Sequence, residues 1–502
     1  MMEFELKLEV PAGRAAAVEA AVRHGPVMQQ RLQARYFDTP DRALAARGVV
    51  VRLRKEGRQW VQTAKAPGSK PLQRLEHNVA LGSRTTPQVD LARHLGTPVG
   101  ERIQRALKLK PNDAFPALEL VYQTQVLRLS RIVSAGVASV EIAWDTGRIS
   151  AGRRSLPVSE LELELKQGSP ANAVELARIW CQTHGLWLSS VSKSEKGQRL
   201  AQAQPFGDAV TAKTPLFSRH TSGRAMASAV LASCLDQVLA NASDIAAGCS
   251  DEEHVHQLRV GLRRLRTAMR ELGAFTGGVD SAWDAPIVAL FRVLGLHRDR
   301  DYLLRAVQGQ MTAAGGPPLN WSALLTALPD TAEAVRAPAF QEVLIGLIGF
   351  VHAASDDDNA QHEPATQPAQ SSQPAKKAVR QRLRKLHKDA IAEGRRFLEL
   401  EEALQHRLRK RLKRLRYLAE FSRPLFTARQ VDAFIDQLKP VQDALGLYND
   451  ELAALRVWRQ LASTDARAWF GTGWLSARRT SNAQACLQAC KTFARGAKPF
   501  WD

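Results

Sequence analysis

The spacing of apolar and polar residues changes once along the chain. Through about residue 200 the two kinds alternate, in segments such as EFELKLEV, VVVRLRK, SVEIAWD and SELELELK, which predicts β-strands separated by Pro and Gly turns. From about residue 217 apolar residues recur with helical spacing in long stretches rich in Leu, Ala and Arg. The pattern predicts an α+β protein of two domains, mainly β first and all-α second.

The boundaries follow from composition. The segment AQPFGDAVTAKTP between the two halves is typical of a linker, so we expect domains at residues 1–202 and 217–502 joined by a linker at 203–216. A polar, Pro-containing stretch at 355–378 carries too little apolar surface to order itself. We therefore expect a disordered insertion there, inside the helical domain.

The helical half repeats itself. HQLRVGLRRLR at 256–266 matches HRLRKRLKRLR at 406–416, and LGLHRD at 294–299 matches LGLYND at 445–450. Two matches at nearly the same offset indicate an internal duplication. The helical domain is therefore predicted to contain two repeats.

Charge indicates the class of partner that the protein binds, and cysteine content indicates the kind of cellular compartment that suits it. Lys and Arg number 70 against 50 acidic residues, a formal charge of +20 that favours a polyanion: nucleic acid, acidic lipid or phosphate polymer. Five scattered cysteines suit a reducing compartment. The first strand pattern starts at residue 3, which leaves no room for a signal peptide, and the apolar segment at 343–351 is too short to span a bilayer. We expect a cytoplasmic protein without membrane association.

Several predicted strands carry charge along one whole face. Glu3, Glu5, Lys7 and Glu9 alternate with apolar residues on the first strand, and Glu160, Glu162 and Glu164 do so on a late one. A solvated outer face would explain each strand singly. The charges are sorted by sign, however: one set is mostly carboxylate, and another is cationic, with members Arg52, Arg54, Lys65, Arg74 and Arg128. A closed barrel that turned these sets toward each other would form a water-filled tunnel lined with charge.

Such a tunnel suits phosphoryl chemistry. Clustered carboxylates without His or Cys favour a hard cation such as Mg²⁺ or Mn²⁺. Arg and Lys on the facing wall would bind phosphate oxygens, Arg through its planar fork and Lys as a point charge.

The segments EFELK, RYFDTPD, VRLR, QRLEHNVAL and ELELE, in this order, resemble the CYTH family, the triphosphate tunnel metalloenzymes, over roughly residues 1–200. The resemblance implies an eight-stranded antiparallel β tunnel barrel with flanking helices. It implies that Glu3, Glu5, Glu160 and Glu162 bind metal and, with Lys7, form the catalytic set. It also implies that Arg52, Arg54, Lys65, Arg74, Arg128 and Lys193 bind triphosphate. Glu76, Asp145 and Glu164 sit on suitable faces as either ligands or ion-pair partners.

Positive charge follows one face of two helices in the duplicated half. His256, Arg259, Arg263 and Arg266 lie beside the apolar face of the first, and His406, Arg409, Lys413 and Arg416 repeat the arrangement. A solvated helix face is the simpler interpretation, but such faces usually mix signs, since like charges at this spacing destabilise a helix. The recurrence favours an anion site in which the two histidines are candidate phosphate donors.

This half resembles the CHAD family, with its H-x-x-R-x-x-x-R/K helices and LG-x-x-[RN]-D segments, from about residue 217 to 500. The resemblance implies polyphosphate binding in a basic central channel. Neither basic stripe contains an aromatic residue for base stacking, which favours a bare phosphate chain over nucleic acid. Asp299 and Asp450 are predicted to orient arginines or cap helices.

Together these patterns favour an inorganic triphosphatase that hydrolyses tripolyphosphate to diphosphate and phosphate with Mg²⁺ or Mn²⁺, and whose helical module binds polyphosphate, placing it at polyphosphate granules. Two alternatives stay open. One is a non-catalytic polyphosphate-binding protein; the other is a CYTH enzyme acting on thiamine triphosphate or a nucleotide, including adenylate cyclase. The tunnel is common to the enzymes, so the sequence discriminates poorly among them.

Overall fold

The computed structural model describes residues 4–67, 74–83, 87–110, 113–135, 138–275, 279–319, 321, 328–360 and 375–502. The chain forms two compact units. The first, here the β unit, comprises Met1–Ala209, Leu239–Cys249 and Val335–Gly349; the second, here the helical unit, comprises Val210–Val238, Ser250–Ala334 and Phe350–Asp502. An N-terminal antiparallel sheet followed by a helical region confirms the predicted fold class.

Nine strands form the sheet of the β unit: β1 (Glu5–Glu9), β2 (Met28–Asp38), β3 (Val50–Glu56), β4 (Gln59–Pro67), β5 (Arg74–Gly82), β6 (Glu119–Ala135), β7 (Ala138–Ala151), β8 (Arg154–Gln167) and β9 (Trp187–Leu188). The first four helices are α1 (Ala15–Val22), α2 (Pro98–Ala106), α3 (Pro170–His184) and α4 (Lys193–Ala201). The others are α5 (Gly223–Ala246), α6 (Glu252–Glu271), α7 (Asp284–Tyr302), α8 (Gln308–Ala313), α9 (Thr331–Arg336), α10 (Pro338–Ala360), α11 (Ala375–Arg395), α12 (Glu402–Ser422), α13 (Ala428–Leu461) and α14 (Ala468–Gly496).

The sheet is open, which corrects the predicted closed barrel of eight strands. Its order is β5-β4-β3-β2-β6-β7-β8-β1-β9, and in the described part of the chain β5 and β9 do not pair with each other. The ninth strand has only two residues, too few for alternation to reveal it. At this edge the Leu188 N–H donates to Gln341 Oε1 on α10 at 2.8 Å, so a helix side chain, not another strand, satisfies the backbone.

Alternation gives the sheet one apolar and one charged face. On β1 the side chains of Leu6 and Leu8 are buried on the apolar face, which α1, α2 and α3 cover. The register places Arg128 opposite Asp145, Asp145 opposite Glu160 and Glu160 opposite Glu9 on the other side. We call this side the charged face. A shift of one residue in any pairing would move these charges into the apolar core, so the hydrophobic pattern fixes the register.

Helix α4 lies across the charged face, in contact with β6, β7 and β8. Gly197 permits this close approach, because a Cβ there would come within 2.2 Å of Cδ2 of Tyr122. Tyr122 in turn stacks on Tyr36, with ring centroids 4.4 Å apart. The position of α4 brings its first residue, Lys193, over the carboxylates of β7 and β8.

The two sequence repeats occupy equivalent helices. The first pair of matching segments lies on α6 and α12, and the second pair on α7 and α13. Leu258, Leu262 and Leu265 are buried along α6, and the leucines 150 positions later in the sequence, Leu408, Leu412 and Leu415, are buried along α12. The apolar faces of the repeats therefore serve the same packing role, as the duplicated pattern predicts.

The segments predicted as a linker and as an insertion differ from each other in secondary structure. Residues 203–216 contain no helix or strand. Within the predicted insertion, residues 355–360 continue α10 and residues 375–378 begin α11, so both ends are helical. A helix that starts among buried residues such as Val343 and Leu347 can continue into polar sequence, because its backbone hydrogen bonds are local. The remainder, 361–374, lies outside the described residues.

Helix α5 is the one helix in the described ranges that is long and apolar enough to cross a bilayer, with a mean hydropathy of 1.3 over its best window. The prediction from sequence considered only the apolar segment at 343–351. In the structure 67% of that α5 window is buried. The helix also carries buried Asn241 and Asp244, and Asp244 pairs with Arg199 at 2.6 Å. These features are those of a core helix, and the absence of membrane association stays a prediction.

A polar network is buried between β4 and the segment before α2. The Gln62 amide nitrogen donates to the Asp90 carbonyl at 2.6 Å and lies 2.9 Å from His94 Nε2, while His94 Nδ1 lies 2.9 Å from His77 Nδ1. Since an amide NH₂ only donates, His94 Nε2 accepts and Nδ1 carries the proton. Burial, with His77 and Arg93 nearby, lowers the pKa of His94 to about 4.

Acidification is therefore expected to weaken the β unit through His94. The unfolded side chain has a pKa of about 6.5, above the folded value, so the stabilising contribution is complete above the unfolded pKa and is lost as the pH falls below it. We expect the melting temperature of the full chain to fall on acidification from neutral pH, and to fall less in a His94→Gln variant, which cannot be protonated. Equal losses in both proteins would contradict this role of His94.

Candidate functional site

Three carboxylates of the charged face converge on one ammonium group. Nζ of Lys193 lies 2.8 Å from Asp145 Oδ2, 2.8 Å from Glu160 Oε2 and 2.6 Å from Glu162 Oε1. The side chains of Asp145 and Glu160 are 1% and 0% exposed. We call these three acids the carboxylate cluster. Asp145 belongs to it as fully as the two glutamates, although its support from the sequence pattern was weaker.

Further cations complete the neutralisation of the cluster. Arg128 binds both oxygens of Asp145 at 2.7 Å and also contacts Glu162. Lys196 lies 2.6 Å from Glu160 Oε1 and 2.6 Å from Glu9 Oε1. Lys7 is placed beside Glu160 and Glu162, and burial lowers its pKa despite them. Four acids, Glu9, Asp145, Glu160 and Glu162, are matched by four bases, Lys7, Arg128, Lys193 and Lys196, and Glu5 adds a further negative charge that acts on Lys7.

Glu160 and Glu162 are ionised at neutral pH. Burial alone would raise the pKa of Glu160, but Lys193, Lys7 and Lys196 outweigh it and hold that pKa well below the ordinary value. The pKa of Glu162 is lowered in the same way by Lys193 and Arg128. Conversely, burial would lower the pKa of Lys193, and the three carboxylates raise it well above the ordinary value. The site is therefore a set of buried ion pairs.

The other predicted cations lie farther along the same face. Arg52 and Arg54 are on β3 and Lys65 is on β4, four and five strands from β8 in the sheet order. Arg52 donates to Tyr36 Oη at 3.5 Å, Arg54 pairs with Glu56, and Lys65 lies 2.5 Å from Glu76 Oε2. The carboxylates and the cations are thus only partly separated on the charged face. Arg128, predicted to share a wall with these cations, is paired with the carboxylates instead, because its strand β6 adjoins β7.

Not every predicted ligand joins the cluster. Glu3 lies outside the described residues, and Arg74 begins β5 with its side chain outside the described part. Glu5 is exposed on β1, opposite Glu164, which pairs with Lys166 at 2.6 Å. The structure therefore assembles Glu160 and Glu162 with Lys7 and Lys193, and places Glu5 at the rim of the charged face.

The donor chemistry of the cluster suits a hard divalent ion. Its ligands are carboxylate oxygens, as Mg²⁺ and Mn²⁺ prefer. Glu160 Oε2 is buried and is held by an ion pair with Lys193 Nζ at 2.8 Å, not by a well-aligned hydrogen bond. With the side chains as they stand, no three His, Cys, Asp or Glu residues in the described ranges form a group that could hold a metal. The point on which the carboxylates converge is taken by Lys193.

In the helical unit the two predicted basic stripes meet. Asp450 Oδ2 lies 3.9 Å from Arg298, and Asp450 Oδ1 lies 3.9 Å from Arg409. Burial together with Arg263 lowers the pKa of Arg259 to about 10. Burial together with Arg263, Arg409, Arg416 and Arg298 lowers the pKa of Lys413 to about 7. We call Arg259, Arg263, Arg298, Arg409 and Lys413 the basic cluster. It contains residues of both repeats, and its mutual repulsion is what a bound polyanion would relieve.

Arg266 and Arg416, the last residues of the two basic stripes, differ from the residues before them in their pairing partners. Arg266 binds both oxygens of Asp284 at 2.7 and 3.0 Å, and Arg416 binds Glu420 at 2.7 Å and Gln442 at 3.2 Å. These two arginines are already paired with acids, so the anion site, if it extends to them, must compete with those pairs. Their role in binding stays a prediction.

The two histidines are neutral in this structure. Burial lowers the pKa of His256 and of His406. His406 Nδ1 lies 2.9 Å from Asn449 Oδ1, which accepts, so the ring proton is on Nδ1 and Nε2 is left as an acceptor. In this state His406 offers no second N–H, and a donor role toward phosphate would require its protonation.

Two contributors escaped the sequence interpretation. Phe291 lies beneath two guanidinium groups, those of Arg259 and Arg263, with Cζ 4.4 and 5.4 Å from its ring centroid. Nothing in the local pattern of α7 singles out this residue. Arg298 does have a signal, since it occupies the x-[RN]-D position of LGLHRD, where the second repeat has Asn449.

Comparison with known proteins identifies both halves. The CYTH domain family matches residues 1–197 and the CHAD domain family matches residues 229–460. The inorganic triphosphatase of Haemophilus influenzae is 26% identical over 210 residues, which is 41% of this chain and 56% of that protein. The match thus spans little more than half the length of that relative.

Two solved structures are also similar. The CHAD domain of the plant Ricinus communis is 24% identical, with a TM-score of 0.45, and the match covers 58% of this chain and 98% of that one. A protein from Hippeastrum, described as an adenylyl cyclase with a dominant triphosphatase activity, is 14% identical with a TM-score of 0.29, covering 41% of this chain and 97% of that one. Neither TM-score reaches 0.5, so the family matches identify the domains. The chain therefore consists of a CYTH domain followed by a CHAD domain.

Proposed function

We propose that this protein is a metal-dependent inorganic triphosphatase that hydrolyses tripolyphosphate to diphosphate and phosphate. Membership of the CYTH family and the similarity to an inorganic triphosphatase support triphosphatase activity at the level of the family. The observation that carries the proposal is the arrangement of the carboxylate cluster and of Arg52, Arg54 and Lys65 on one face of one sheet.

The residues of the charged face would have two roles: the cations would bind phosphate and the carboxylates would hold the metal ion. Arg52, Arg54 and Lys65 supply the positive charge that would hold and orient the phosphate oxygens. Asp145, Glu160 and Glu162 would hold Mg²⁺ or Mn²⁺, with Glu5 and Glu3 as the further ligands expected from sequence. When bound, such an ion supplies a water of lowered pKa and neutralises charge on the phosphate oxygens. No side-chain nucleophile is required.

The surroundings of Tyr122 support a bare triphosphate as substrate. Tyr122 stacks on Tyr36 on one side and packs against Gly197 of α4 on the other. Its ring therefore has no free side on which a nucleobase could stack. A substrate without an organic group needs no such platform.

The direct test is phosphate release from tripolyphosphate, ATP and thiamine triphosphate, each with and without Mg²⁺ or Mn²⁺. The proposal expects metal-dependent release that is fastest with tripolyphosphate. Faster turnover of ATP or thiamine triphosphate would assign the site to another triphosphate, and no release from any of the three would favour a binding protein.

We also propose that the basic cluster of the CHAD domain binds inorganic polyphosphate and places the enzyme at polyphosphate granules in the cytoplasm. Five cations with repulsion among them support a polyanion, and the absence of aromatic residues from the stripes favours a phosphate chain. Competition between polyphosphate, DNA and RNA for the full chain, at one fixed salt concentration, tests this, because salt alone changes such affinities. Preference for nucleic acid would overturn the assignment.

Replacing Lys413 with arginine is expected to flatten the pH dependence of polyphosphate binding. A bound polyanion raises the pKa of Lys413 from its value of about 7, so binding above that pH must take up a proton and the affinity falls as the pH rises. Below that pH the charge is already present. Arginine stays charged throughout, and the matching residue in the first repeat is Arg263.

The measurement is the dissociation constant for long-chain polyphosphate on both sides of neutral pH, at constant ionic strength. If the Lys413→Arg variant loses affinity with rising pH as steeply as the unchanged protein, Lys413 is not the group that takes up the proton.

A further inference from the structure

The place of Lys193 is unusual for a lysine. Its Nζ lies where three carboxylates converge, at 2.8, 2.8 and 2.6 Å from Asp145, Glu160 and Glu162, and its side chain is only 16% exposed. Arg128 also contacts Asp145 and Glu162, and Lys196 contacts Glu160 through its other oxygen, Oε1. The centre of the carboxylate cluster therefore holds a cation already, one supplied by the chain itself.

Lys193 fills this place imperfectly. Glu160 Oε2 forms an ion pair with its Nζ at 2.8 Å, in which the N–H groups are poorly aligned with the oxygen lone pair. A metal ion accepts such a lone pair without needing a correctly aimed N–H, so the cluster is better suited to a divalent ion than to the ammonium group that it holds.

The position of Lys193 in its helix points the same way. It is the first residue of α4, after the N-cap Ser192, whose Oγ accepts from the Glu195 N–H at 3.1 Å. A cation is disfavoured at a helix N-terminus, so the carboxylates, and not the helix, hold Lys193 in place. The four-carbon stem of lysine lets Nζ move while α4 stays against Tyr122.

We infer that Lys193 holds the position of the divalent ion in the metal-free protein and must give it up to a phosphate chain when metal binds. The inference rests on the proposed function, which supplies the metal and the phosphate. The bases that contact the carboxylate cluster already neutralise its three acids, so a divalent ion added beside Lys193 would leave two cations at one point. A phosphate chain gives Lys193 another anion to bind. Metal and triphosphate are therefore expected to bind together, with Lys193 as the positioning residue that changes partner.

The test is Mn²⁺ binding to the full chain with no phosphate compound present. Removing the resident ammonium group in a Lys193→Met variant is expected to tighten Mn²⁺ binding by about tenfold or more, since each tenfold corresponds to about 1.4 kcal/mol. The matched control is Lys196→Met, which removes the same charge from the other oxygen of Glu160 without vacating the centre. Its tightening is expected to be clearly smaller.

Two results would overturn the inference: no tightening in Lys193→Met, or equal tightening in both variants, which would show a general effect of charge. If Lys193→Met does not fold alone, its refolding with added Mn²⁺ is compared with that of Lys193→Gln; recovery with Mn²⁺ in both supports the inference, and recovery in neither contradicts it.

The Mn²⁺-binding experiment and the test of the proposed function can each fail without the other failing. Mn²⁺ binding is measured without triphosphate, so tightening in a protein that hydrolyses no triphosphate would leave the inference standing and the proposed function refuted. If the protein hydrolyses triphosphate but its Lys193→Met variant binds Mn²⁺ no more tightly than the unchanged protein does, the proposed function stands and the inference is refuted.

Discussion

Replacing Glu162 with glutamine is expected to lower the rate of tripolyphosphate hydrolysis by about a hundredfold or more, the usual cost of removing one group that stabilises charge in a transition state. Glu162 contacts Lys193 and Arg128 and belongs to the carboxylate cluster. Glutamine keeps its size but removes its charge and one ligand oxygen. Phosphate release at saturating Mg²⁺ measures the effect, and the melting temperature reports whether the variant is folded.

The matched control for that change is Glu141→Gln. Glu141 lies on β7 of the same sheet, opposite Glu164, and pairs with Lys166 at 2.8 Å, away from Lys193. The same chemical change there is expected to leave the rate close to that of the unchanged protein. A folded Glu162→Gln variant that kept full turnover would remove the carboxylate cluster from the catalytic site.

Polyphosphate affinity is expected to fall by about 10- to 100-fold in an Arg409→Met variant, because a hydrogen bond to a charged group contributes about 1.5–3 kcal/mol. Arg409 lies in the basic cluster, 3.9 Å from Asp450, and repulsion from Arg263 and Arg298 acts with burial to lower its pKa. Methionine keeps the apolar stem and removes the guanidinium group. Binding of long-chain polyphosphate at fixed salt is the measurement.

Arg407→Met provides the comparison on the same helix. Arg407 is 57% exposed and pairs with Glu393 at 3.4 Å. Its replacement therefore removes one positive charge from α12 outside the basic cluster. Its effect on affinity is expected to be small. Equal losses in the two variants would indicate a diffuse attraction by net charge instead of a site.

Periodicity predicted the fold class because the register of a half-buried sheet is fixed by its hydrophobic pattern. The same alternation that buries Leu6 and Leu8 places Lys7 and Glu9 on the charged face, beside Glu160. The duplicated apolar spacing likewise placed α6 and α12 in equivalent roles. These features depend on local pattern alone, and local pattern can be read from one sequence.

What sequence could not predict depends on contacts between distant segments. Strand β9 has two residues and is recognisable only by its pairing with β1. Lys193 was assigned to phosphate from a motif, but its position among Asp145, Glu160 and Glu162 depends on how Gly197 seats α4 against Tyr122. Phe291 became a platform for two arginines only when α7 packed beside α6. Closure of the barrel was predicted from the sorting of charges by sign and from the resemblance, but neither specifies whether the two edge strands pair.

The pairing of β1 with β8 and β9 also fixes when this site can exist during synthesis. The ribosome makes Lys7 and Glu9 first, yet their partners at 160–162 follow some 150 residues later, and Lys193 and Lys196 later still. β1 therefore has no partner strand until β8 has been made. Until then it exposes an unpaired strand edge, a state in which such segments are prone to aggregate.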